Sequence, residues 1–263
     1  MTSRTVDDYG DYLRLDKILD AQEPLSDHHD ETLFIVIHQA TELWLKLVIH
    51  ELEYAKRAIS AEDLGPAFKA LARVARIQHV LIESWEVLST LTPSDYLEFR
   101  HLFGRASGFQ SIQYRSIEFL LGRRDERYLQ SHGPGERAYL LRVLGQPSLY
   151  DDAVILLSRR GLDIPADLVD RDWAVQHEPH PAVTEAWLTV YRDVETYWDL
   201  YELAEKLVDL EHAFSRWRFE HYKTVHRIIG HKTGSGGTSG MGYLKQALDF
   251  TFFPELWEVR TEL

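Results

Sequence analysis

The chain has 263 residues, 44% of them hydrophobic and 27% charged, and its 42 acidic residues outnumber 29 basic ones for a formal net charge of -13. That length and apolar content can bury one sizeable core, and the acidic surplus repels phosphate backbones and anionic lipid, which argues against nucleic acid or a membrane surface as partner. No cysteine is present, so disulfides, iron–sulfur clusters, thiolate catalysis and C-x-x-C-H haem attachment are excluded.

The N-terminal stretch MTSRTVDDYGDYLRLDKILDAQ has no apolar segment of the kind that directs secretion, and no uninterrupted apolar run reaches membrane-spanning length. The expectation is a cytoplasmic protein. DHHDE at 27–31 is rich in metal-ligand residue types, but its acids read more simply as partners of the following helix N-terminus. From Leu33 to Leu52, apolar residues at 33, 37, 40, 44 and 47, widened by 34, 41, 45, 48 and 52, form a broad helical stripe. The pattern repeats from Pro66 to about Leu91, with Pro66 suited to a first turn. Thr92 suits an N-cap, with Pro93 first in the helix and Asp95 in its first turn. SIQYRSIEFLLG is helical and ends in Gly122. Helical segments follow at 136–145, 148–161 and 181–229, the last long enough to bend or break. Alternating runs bounded by Asn-Gly or Asp-Gly turns are missing. The prediction is a single all-α domain over residues 1–263.

Two histidines interrupt apolar stripes. Leu207, Leu210, Phe214, Trp217, His221, Thr224 and Ile228 step by three and four along one seam, and His221 stands where leucine would be the default. His38 shares a face with Phe34, Thr41 and Leu45. A buried imidazole needs partners for its nitrogens or costs about 1–3 kcal/mol. Each histidine therefore reads either as a core residue bonded to its neighbours or as a ligand. A helical di-iron site is a poor fit, because it needs two Glu-x-x-His pairs and the chain offers only Glu98 to His101. The glycine-rich stretch Gly230 to Gly242 follows a helix and matches neither nucleotide fingerprint. Gly230 suits a helix C-cap, and the rest can turn backbone amides and hydroxyls toward a ligand or simply form a surface loop.

Taken together, LFIVIHQATELWLKL, LTPSDYLEFR, SGFQSIQYRSIEFLLG, RFEHYKTVHRIIGHKTGSGGTSG and FFPELWEVRTEL resemble, in this order, the tryptophan 2,3-dioxygenase family. The resemblance runs from about Tyr9 to Leu263. It implies an all-helical fold, one haem b per subunit, a homotetramer, and L-tryptophan and O2 as substrates, with N-formyl-L-kynurenine as product. It implies that His221, in RFEH, is the axial iron ligand and that His38 is the distal histidine beside the indole N–H. Trp85 and Gly234 would lie against the haem. Arg100, in TPSDYLEFR, would grip the substrate carboxylate with help from Tyr96, one helical turn away. Phe34 would pack on the indole, Phe103 would stand near the pocket, Ser235 would meet the ammonium group, and Tyr9 and Tyr12, within the N-terminal segment 1–25, would reach a neighbouring subunit's pocket. Ser235, Thr233, His231, Glu220 and Phe103 depart from the usual family residues. Two other readings follow the same scaffold: a haem monooxygenase acting on a tryptophan derivative in secondary metabolism, and a haem-binding sensor.

Overall fold

The computed structural model describes residues 7–232 and 240–263, so Gly234 and Ser235 lie outside the described residues. Among the described residues the α-helices run in the order α1 Tyr9–Leu13, α2 Leu15–Ile18, α3 His29–Ser60, α4 Leu64–Leu88, α5 Pro93–Arg100, α6 Ile112–Leu121, α7 Pro134–Leu144, α8 Leu149–Arg159, α9 Ala166–Val169, α10 Pro181–Arg192, α11 Trp198–Ile229, α12 Gly240–Leu248 and α13 Pro254–Glu262. Short 3-10 turns occur at His101–Phe103, Gly108–Gln110 and Glu126–Ser131. No strand occurs among the described residues, which bears out the all-α expectation.

The chain encodes its helix ends locally. α3 is capped by the His28 ring, whose Nδ1 accepts the Asp30 amide at 3.3 Å. Glu31, expected only to favour the helix N-terminus, is buried and folds the approach loop back by accepting the Leu25 and Ser26 amides at 2.8 Å each. α5 starts on the predicted N-cap Thr92 with Pro93 as its first residue, and Asp95 closes a capping box with Thr92. α6 stops at Gly122, where φ is 121° and an added Cβ would stand 2.9 Å from His177 Cε1. Only glycine meets both demands. The run 181–229 breaks: α10 ends at Asp193, whose carboxylate accepts the Thr196 amide at 3.2 Å, and α11 restarts at Trp198.

α4 is the centre of the arrangement. Both long helices, α3 and α11, pack on it, and both also touch α5, but they make no extensive contact with each other. The core side of α3 is Leu45, Val48, Leu52, Ala55 and Ile59. α3 is also the one described helix long and apolar enough, by length and composition alone, to cross a membrane. Inspection of the sequence missed this because Glu42 and Lys46 interrupt the run. Its inner face is core, and Val36, Leu43 and Trp44 remain exposed on the other.

Candidate functional site

The seam of α11 is buried at Leu207, Leu210, Phe214, Trp217, Thr224 and Ile228, and His221 alone along it is half-buried. Its ring lies flat on the Trp85 indole from α4, centroids 4.5 Å apart and planes 7° apart. Trp217, one turn back, approaches at 5.5 Å. Burial pushes the His221 imidazolium down to about 4, and the charges of His38 and Arg115 push the same way. The ring is therefore neutral near pH 7 and has a lone pair to offer. The indole N–H groups of Trp85 and Trp217 are buried without a protein partner among the described residues.

His38 belongs to α3, which packs on α4 as α11 does, and lies close enough for its charge to act on the His221 ring. Its Nδ1 lies 2.7 Å from the Phe34 carbonyl oxygen. A carbonyl can only accept, so Nδ1 carries the proton and Nε2 is left as an acceptor. Desolvation lowers the His38 pKa although the residue has exposed surface. The His38 ring, desolvated yet partly accessible, forms with its aromatic neighbours a wall at the edge of the core.

Phe34 is sandwiched on that wall, 4.1 Å from the His38 ring and stacked 4.8 Å from Phe103. Tyr96 and Phe99 from α5 close the cluster at 5.9 Å and 6.0 Å from Phe34. Arg100 is the last residue of α5, and its guanidinium carbon stands 6.0 Å from the Tyr96 ring. Burial raises the Tyr96 phenol, and the Arg100 charge partly offsets the rise. Four helices and the His101–Phe103 turn thus bring Phe34, His38, Trp85, Tyr96, Arg100, Phe103 and His221 to one region, with aromatic surface on one side and a cation at its edge.

Tyr9 and Tyr12 are not drawn in. They are 74% and 73% exposed on α1. Gly234 and Ser235 fall outside the described residues. Two participants escaped the sequence analysis in this capacity. Trp217 was read only as a seam residue, although its place one turn before His221 could have marked it. Phe99 is buried under Phe34, Tyr96 and Phe103. Among the described residues no group of three or more His, Asp or Glu side chains is arranged to hold a metal ion.

The sequence matches the family described as tryptophan 2,3-dioxygenase over residues 1–134 and 179–263. It is 55% identical to a tryptophan 2,3-dioxygenase of Geobacillus thermodenitrificans over 257 residues, covering 97% of this chain and 92% of the relative. A Bradyrhizobium enzyme of the same name is 56% identical with the same coverages. A Polaromonas one is 54% identical over 259 residues, or 97% of this chain and 87% of the relative.

Proposed function

The chain belongs to the tryptophan 2,3-dioxygenase family, and from that premise we propose how its residues divide the work. The activity is that of a tryptophan 2,3-dioxygenase: both atoms of O2 enter L-tryptophan as the indole C2–C3 bond opens, giving N-formyl-L-kynurenine, the first step of tryptophan catabolism.

The donor set fits haem b. One neutral imidazole with no carboxylate or second histidine beside it is too little for a bare metal ion, but suffices for an iron that brings four porphyrin nitrogens of its own. His221 would hold that iron, with the Trp85 face fixing the ring's orientation. Haem supplies the reaction with O2, and the protein supplies binding, aim and exclusion of water.

Arg100 clasps the substrate carboxylate through two parallel N–H bonds, which fixes direction as well as position. The Tyr96 hydroxyl bonds the same end. Phe34 and Phe103 take the indole face, and the free Nε2 of His38 accepts the indole N–H. Since His38 donates its own proton to a backbone carbonyl, its role is orientation. Ser235, for the ammonium group, and Gly234, for the haem, complete the set by resemblance to the family. Holding the indole in one pose removes much of the entropic part of the barrier. The single observation that supports the assignment is a neutral, Trp85-stacked His221 within electrostatic reach of a tautomer-fixed His38.

The working unit in this proposal is a cytoplasmic homotetramer. α1 and α2 are five and four residues long and bury no residue within their own chain. Helices that short do not persist alone in water, so Tyr9 and Tyr12 are assigned to a neighbouring subunit's pocket. The test is turnover by purified, haem-loaded protein: oxygen uptake proportional to added L-tryptophan and a product heavier by two oxygen atoms. Addition of a single oxygen with the ring still closed rejects the dioxygenase route.

A further inference from the structure

The motif SGFQSIQYRSIEFLLG puts Arg115 and Glu118 in α6, and neither has a part in the chemistry above. Arg115 is 1% exposed, and rings box its guanidinium: Tyr128 at 4.0 Å, Tyr114 at 5.0 Å, Tyr243 at 5.6 Å and Phe109 at 5.9 Å. Its Nη1 donates to the Glu118 carboxylate and, at 2.8 Å, to the Tyr243 hydroxyl. Its Nε is buried without a partner among the described residues. Arg123 takes the other Glu118 oxygen at 2.9 Å and the Tyr128 hydroxyl at 3.0 Å. Two guanidinium groups therefore share one carboxylate, and one positive charge is left over among aromatic rings.

That surplus borders the site. Tyr114, beneath Arg115, packs 5.2 Å from Trp217, and Trp217 packs 5.5 Å from His221. The space between is filled by rings and screens little. We propose that Arg115, through this unbalanced buried charge, sets the balance between the oxidation states of the iron that His221 holds, in favour of ferrous. The ferrous ion carries one positive charge less than the ferric ion, so a fixed cation nearby stabilises uptake of one electron from the reductant. The inference rests on the haem assignment made above.

The test is a spectroelectrochemical titration of the haem-loaded protein with a dye mediator. Arg115→Met removes the surplus and leaves Glu118 paired with Arg123. With wild-type haem content, the ferrous-to-ferric ratio at a given applied potential falls by about tenfold, the scale of one unit charge some 10 Å away at an effective dielectric of about 20. Arg115→Lys keeps the charge and stays near wild type, as does Tyr243→Phe, which removes only the hydrogen bond. Glu118→Gln adds to the surplus and moves the ratio the opposite way. Equal shifts from Tyr243→Phe and Arg115→Met, or shifts of the same sign from Arg115→Met and Glu118→Gln, overturn the proposal in favour of packing. Should Arg115→Met not fold, the sign of the Glu118→Gln shift decides alone: a rise supports the proposal, and no change or a fall overturns it. A wild-type chain that takes up no haem overturns the haem assignment together with this inference, whereas normal haem with unmoved ratios overturns the inference only.

Discussion

At the scale of single residues, the informative feature is a polar group where packing calls for an apolar one. Every other seam residue of α11 from Leu207 to Ile228 is buried, and His221 alone is half-buried. The periodicity made His221 visible in the sequence. It could not show the Trp85 stack, because Trp85 comes from another helix more than a hundred positions away. Nor could it fix the His38 tautomer, which depends on a 2.7 Å contact to the Phe34 carbonyl. His221→Ala is expected to lose most of its haem, read as Soret absorbance per protein; full haem retention would contradict the ligand assignment. Arg100→Lys keeps the charge but loses the planar fork. Its KM for L-tryptophan should rise about tenfold or more with a smaller change in kcat, because bidentate charge-assisted bonds are among the stronger ones. Unchanged steady-state kinetics would remove Arg100 from the carboxylate.

At the scale of elements, helix starts were legible where their chemistry is local. Thr92, Pro93 and Asp95 announced α5, and Gly122 announced the end of α6. The sequence allowed a bend or break in 181–229 but not its place at 193–197, since Asp193 turns the chain without proline or glycine. α5 carries Tyr96, Phe99 and Arg100 together, so its cap bears on the substrate as well as on stability. Thr92→Ala should cost about 1 kcal/mol, seen as a lower urea midpoint, and should raise KM through all three side chains at once. A drop in stability with unaltered KM would show that α5 keeps its place without its cap.

At the scale of the molecule, two buried titrating groups oppose each other as pH changes. His177, stacked 3.6 Å from Tyr150, is pushed down to about 4 by burial against the opposing pull of Asp151. Its neutral form is the folded one, so its contribution is lost as pH falls from about 6.5 toward 4. Glu211 is pushed up to about 7 by burial, with Arg218 and the Phe252 and Phe253 amides pulling the other way. Its protonated form favours the fold, so its contribution grows as pH falls from 7 toward about 4.5. Over that shared window the two nearly cancel. Glu211→Gln should expose the histidine's acid sensitivity, with unfolding free energy lower at pH 4.5 than at pH 7 by about 3 kcal/mol more than in wild type. Parallel pH profiles for the two proteins would refute this. Deleting residues 1–25 should convert the proposed tetramer to smaller species and weaken tryptophan binding. Light scattering that still reports a tetramer would place Tyr9 and Tyr12 elsewhere.

The two histidine-bearing helices lean on a common neighbour and scarcely on each other. α4 therefore works as the pivot of a calliper. Thickening its buried face by a single methylene would change the jaw opening without touching anything that grips the substrate, so variants distant from the chemistry can alter catalysis simply by resetting a gauge.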